Sequence, residues 1–169
     1  MQVRTEHPPV DAEVLRFLAD KTAVLPAENI VILGVGQTLK GDDGAGPVLC
    51  ERIRNRVAAH VIDAGTIPEN YVQPIVRLAP RLLLIVDASD FGAQPGTIAL
   101  LAPERISRVS TGTHGLSPRL FVDLIRRQIE TDCWFLAVQP QQIRLGEPLS
   151  PPVQRAVHRL AQSLIQLLG

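Results

Sequence analysis

Apolar residues occur along this chain in two patterns that alternate. Short continuous runs, "NIVIL", "HVIDAG", "RLLLIVDA", "TIALL" and "WFLAV", are bounded by Gly, Pro or polar residues, and between most of them apolar residues recur every three or four positions. Continuous runs predict strands covered on both faces, the longer spacing predicts helices, and their alternation predicts an α/β fold with a mostly parallel sheet. "TIALL" follows "LLLIVDA" across the turn "AQPG" with no helical stretch between them, so this strand is expected to run antiparallel to the others.

The helical stretches carry their own signals. Ala45, Leu49, Ile53 and Val57, with Val48 beside them, predict a helix over 45–57 whose Glu51, Arg52, Arg54 and Arg56 face water. A second is expected from Pro118 to Glu130. A terminal helix has Ser150 as N-cap, Pro151 in its first turn and Val153, Val157, Leu160, Leu164 and Leu168 as its apolar stripe. Near the start, Asp11 can cap a helix that Val10 and Leu15 staple and that Pro26 ends.

Composition narrows the classes. With 169 residues, 46% hydrophobic and 20% charged, the chain fits one globular domain, taken as 1–169. Lys+Arg and Asp+Glu both number 17, so there is no bulk field to recruit nucleic acid or an anionic membrane. The three Arg residues of the 45–57 helix lack interleaved aromatics and read as a solvated face, not an RNA contact. Cys50 and Cys133 are too few for a disulfide framework, the start has no apolar signal core, and no run approaches the roughly 20 residues of a membrane span. A cytoplasmic protein without membrane insertion is expected.

Chemistry enters at "GVGQTLKGDDGAGP", residues 34–47, between a strand and a helix. A dinucleotide fingerprint would place a third Gly where this loop has Leu39, and a P-loop would require Gly-Lys-Ser/Thr where this loop has Lys40-Gly41-Asp42. Asp42 and Asp43 at a helix N-terminus would also repel a phosphate, so the site suits a cation. One Asp can cap or shape the turn, which is the reading for Asp42; Asp43 is then left to face the ligand.

Ligands of open α/β sheets gather beyond the carboxyl ends of the parallel strands. Asp63 ends "HVIDAG", Asp87 ends "LLLIVDA", and His114 lies in the loop "STGTHGLSP". Two carboxylates and an imidazole make an incomplete shell for a borderline divalent ion with open positions. There is no H-E-x-x-H pair and no G-x-S-x-G elbow. Side-chain chemistry alone reaches a metal-assisted hydrolase or a metal sensor.

The ordered set "GVGQTLKGDDGAGP", "VIDAGTIPEN", "LLLIVDASDFGAQPGTI", "TGTHGLSP" and "FLAVQPQQI" resembles the hydrogenase maturation endopeptidases, from about Asn29 to the C-terminal helix. The resemblance implies a three-layer α/β/α fold with a five-stranded, mostly parallel sheet. It also implies removal of a C-terminal extension from the large-subunit precursor of a [NiFe] hydrogenase, closest to the formate-hydrogenlyase type, after nickel insertion. By position it puts the metal contacts on Asp43, Asp87 and His114 and a further cleft acid on Asp63; the attacking water would be activated either by the metal, which polarises the carbonyl, or by Asp63 or Asp87 as general base. Nickel would be contacted through the substrate, with no organic cofactor. The resemblance leaves residues 1–28 as an N-terminal extension and sets Gln37 where the family usually has Asn. The oligomeric state is open, a monomer being the simplest case. A nickel-protein docking module without catalysis and a small-amide hydrolase are the alternatives.

Overall fold

The computed structural model describes residues 12–106 and 116–169. Among them, β1 (Ile30–Val35), β2 (His60–Gly65), β3 (Leu82–Ala88), β4 (Ile98–Leu101) and β5 (Asp132–Val138) form one sheet in the order β2-β1-β3-β5-β4. The pairs β1–β2, β1–β3 and β3–β5 are parallel, and β4 joins the edge antiparallel to β5, as the helix-free turn before it predicts.

Helices cover both faces because the strands alternate apolar residues to both. Ile30, Ile32, Leu82, Leu84, Val86, Leu136 and Val138 pack with α1 (Ala12–Val24), α2 (Ala45–Ile53) and α6 (Pro151–Leu168). Val31, Leu33, Leu83, Ile85, Phe135 and Ala137 pack with α3 (Val72–Leu78), α4 (Pro103–Ile106) and α5 (Pro118–Arg126). The result is a three-layer α/β/α fold. Every position of the α6 stripe from Val153 to Leu168 is buried. Helix α1 is tied to the start of β5 by Lys21–Asp132, at 2.6 Å, and by the edge-on rings of Phe17 and Trp134, 5.1 Å between centroids.

Three helix ends differ from the sequence expectation. Helix α2 stops at Ile53 because Arg54 is extended, at φ −55° and ψ 133°, and Asn55 takes a positive φ of 61°. Val57 lies beyond it yet still packs on the core, so its apolar spacing reported burial and not helix. Helix α5 ends at Arg126, short of Glu130, while its start is capped by Ser117, whose hydroxyl accepts from the Leu120 amide at 3.2 Å. Ser150 stands at the N-cap of α6 without forming a side-chain cap bond, because its hydroxyl is used elsewhere. The proposed Asp11 cap and Val10 staple fall outside the described residues. No helix among those described is long and apolar enough to cross a membrane.

Candidate functional site

The site is built where β1 turns into α2. Gly34 and Gly46 let this strand and helix touch: a Cβ on Gly34 would lie 2.6 Å from both the Cys50 sulfur and the Gly46 carbonyl oxygen. Side chains at these positions would push α2 off the sheet. The Gly34–Gly36 spacing that mimics a phosphate loop is thus a packing device. Gln37, in place of the shorter Asn, still folds its amide onto the turn, its Oε1 accepting from Leu39 N at 3.4 Å.

A single 3₁₀ turn, Gly41–Gly44, carries both Asp residues. Asp42 points inward and is fully buried. Its Oδ2 accepts from the backbone N–H groups of Gln141 (2.8 Å) and Gln142 (3.1 Å) and from the Ser150 hydroxyl (2.7 Å), and its Oδ1 accepts from Ser150 N (2.6 Å). The surrounding backbone adds Asp42 N to Gln142 O and Gly41 N to Glu147 O. Such an array of charge-assisted bonds holds a buried carboxylate that would otherwise be costly to desolvate. Asp42 therefore fastens the turn to the segment between β5 and α6.

Asp43 points the other way. Its Oδ2 accepts from Gln37 N at 2.9 Å, which fixes its orientation while leaving lone pairs unused. Burial raises its pKa above the ordinary 3.8, against a smaller lowering by the Gln37 bond and the Lys40 charge. Asp87, the penultimate residue of β3, is pushed well above the ordinary range, first by burial and then by the negative charge of Asp43. It lies deep among protein atoms but keeps part of its surface open. The charge of Asp43 bears on Asp87, so the two act as one electrostatic unit, an arrangement that raises carboxyl pKa values and favours an incoming cation.

Asp63 is placed differently. On β2 it pairs in register with Gly34 of β1, and the neighbouring Ile62 and Ala64 side chains pack with α3, α4 and α5, so Asp63 projects to the α2 side of the sheet. Asp87 alternates with Val86, whose side chain packs on the α2 side, and so projects to the opposite face. Asp63 is exposed, its Oδ1 accepts from Gly65 N at 3.0 Å, and its charge falls on Cys50, whose thiol burial and then Asp63 push up to about 12. His114 falls outside the described residues. Among the described residues no group of three or more His, Cys, Asp and Glu side chains is close enough to hold a metal ion.

Gln139 has a role that the residue pattern does not announce. Buried just after β5, its Oε1 accepts from Phe91 N (2.9 Å) and Ala93 N (3.2 Å), and its Nε2 donates to Asp90 Oδ1 (3.1 Å). It holds the loop that follows Asp87. A buried Gln directly after an apolar strand is the signal available for it, since its amide must find partners.

Fold and acidic pair together define a three-layer α/β protein with two mutually perturbing carboxyls at the carboxyl edge of the sheet. The chain belongs to the hydrogenase maturation protease family: the family model HycI, hydrogenase maturation protease, matches residues 45–167, beginning just beyond Asp43. It is 36% identical over 137 residues to the hydrogenase 3 maturation protease of Escherichia coli strain K12, covering 79% of this chain and 87% of that protein. The crystal structure of the [NiFe] hydrogenase maturation protease HycI from Thermococcus kodakarensis KOD1 superposes with a TM-score of 0.81 at 30% identity, over 90% of this chain and 98% of that one. The crystal structure of the hydrogenase 3 maturation protease gives 0.73 at 36% identity, over 83% and 91%.

Proposed function

We propose that this protein is the endopeptidase that removes the C-terminal extension of a [NiFe] hydrogenase large-subunit precursor once nickel is in place, and that it recognises the nickel itself. The observation that carries the reading is the pair Asp43–Asp87: two carboxyls with raised pKa values, Asp87 pushed up further by the charge of Asp43, and only a small opposing effect of Lys40 on Asp43. A divalent ion brought by the substrate relieves that repulsion, and His114 supplies a nitrogen ligand beside the two oxygens. Nickel is then part of the substrate and not a resident cofactor.

Docked through the metal, the scissile bond is held close to the acids, which converts a two-body encounter into a positioned one. A water attacks the carbonyl carbon, Asp87 takes its proton, and the C–N bond breaks as that proton passes to the leaving amine. A carboxyl with a raised pKa is a stronger proton acceptor than an ordinary Asp once deprotonated, and one of its oxygens remains free when the other meets the metal. The opposite-face position of Asp63 favours Asp87 as the base.

The test compares nickel-loaded with nickel-free precursor, following release of the C-terminal peptide by mass spectrometry. Rapid cleavage of the loaded form alone is expected; equal cleavage of both overturns nickel recognition. His114→Ala and Asp87→Asn are expected to lose processing while remaining folded, whereas Asp63→Asn keeps it. Metal-dependent complex formation without peptide release would instead make the protein a docking module.

A further inference from the structure

The face of the molecule formed by α2 and α6 carries a basic trough. It is an open cavity of about 440 Å³ lined by Arg52 of α2 and by Pro151, Gln154, Arg155, His158 and Arg159 of α6. Among the described residues no carboxylate lines it, and their ion pairs, Lys21–Asp132 and Arg126–Glu104, involve none of its three Arg side chains. Arg52 Nη1 lies 3.1 Å from His158 Nδ1. A guanidinium can only donate, so in this contact the Arg52 group is the donor and His158 Nδ1 the acceptor. The Arg159 Nε is buried without a partner. In a chain whose formal net charge is zero, this concentration of donors is local.

We propose that the trough docks an acidic, extended segment of the protein substrate; this rests on the proteolytic reading above. Two features select a peptide over a phosphate compound. Pro151 and Pro152 open α6, so its first turn lacks two of the N–H groups with which a helix N-terminus usually cradles phosphate, and Ser150 N is already committed to Asp42. The guanidiniums are set along the helix at Arg155 and Arg159 and across from it at Arg52, a spaced arrangement suited to successive carboxylates. One end of the trough is tied to the turn that carries Asp43: Pro151 follows Ser150, which is bonded to Asp42. From Pro151 to Arg159 the helix descends about 12 Å, enough to contact several residues of an extended chain.

The trough would set how tightly and how quickly the precursor docks, leaving the chemical step to Asp43 and Asp87. The experiment uses the full chain carrying Arg52→Glu and Arg155→Glu together, with Arg52→Ala and Arg155→Ala as the milder pair and thermal unfolding as the fold control. Precursor binding is measured by biolayer interferometry, and cleavage kinetics separately. The expected result is a rise in Kd and KM of about ten-fold with kcat unchanged, and a weaker salt dependence than in the wild type. Hexaglutamate should compete for the precursor, and ATP at equal ionic strength should not. Unchanged Kd in the folded variant, a change in kcat alone, or competition by ATP but not hexaglutamate overturns the proposal, as does a wild type that binds no precursor. Trough-dependent binding without any peptide release would defeat the proteolytic reading and leave the docking surface standing.

Discussion

Asp42→Asn keeps the size of the side chain and removes its charge at the point where the turn bearing Asp43 is fastened. Oδ2 serves three donors and Oδ1 one, so the better amide orientation sets NH₂ against the Ser150 N–H. The orphaned donor costs about 1–3 kcal/mol, and each remaining bond falls from the charge-assisted range, about 1.5–3, to about 0.5–1.5 kcal/mol. Asn does not bear the carboxylate's desolvation penalty, which offsets several kcal/mol, leaving a net loss of roughly 2–4 kcal/mol. For a chain of this size the thermal midpoint should fall by roughly 5–15 °C. Thermal and urea unfolding at neutral pH, followed by circular dichroism, measure it, with the exposed Asp63→Asn as control. A second arm pairs Asp42→Asn with Ser150→Ala, for which a coupling energy of about 0.5–3 kcal/mol is expected. An Asp42→Asn variant within about 0.5 kcal/mol of wild type, the range of ordinary surface changes, would refute the claim that this carboxylate fastens the turn.

Other outcomes follow from the same geometry. Asp87 has its folded pKa raised, so the native state binds its proton more tightly than the unfolded chain does; its contribution favours folding at low pH and is lost as pH rises from the unfolded value through the folded one. Asp87→Asn should therefore be more stable than wild type at neutral pH, with a flatter stability profile above about pH 4, checked by urea unfolding without precursor. Burial pushes the Cys50 thiol to about 12 and the Cys133 thiol to about 11, so neither should react with iodoacetamide at pH 8 until the chain is unfolded. Gly34→Ala would set a Cβ 2.6 Å from the Cys50 sulfur and Gly46 oxygen, and should cost about 1–3 kcal/mol or more in urea unfolding; a neutral effect would show that α2 can shift freely.

The sheet was legible because its strands are buried on both faces: "NIVIL" and "LLLIVDA" have no polar interruption, and only strands between two helix layers can be written that way. The antiparallel edge was legible from the short turn before Ile98. Asp43 and Asp87 could be picked out because acids after apolar strands sit where ligands gather. The face on which each acid projects was not legible, since it depends on strand register; one residue of offset separates Asp63 from the Asp87 side of the sheet. Nor was the fate of Ser150, whose local context reads as an N-cap but whose hydroxyl is claimed by a carboxylate 108 positions away. Local pattern reports the helix end, and long-range packing decides what the side chain does there.

That span has a bearing on the order of events during synthesis. A ribosome delivers the Asp42 turn well before the groups that complete it, Gln141, Gln142 and Ser150, which follow it by 99, 100 and 108 positions. Until then the turn cannot close around its carboxylate, and the acid pair has no fixed geometry. A turn wired in this manner takes its final shape only after the chain has passed Ser150.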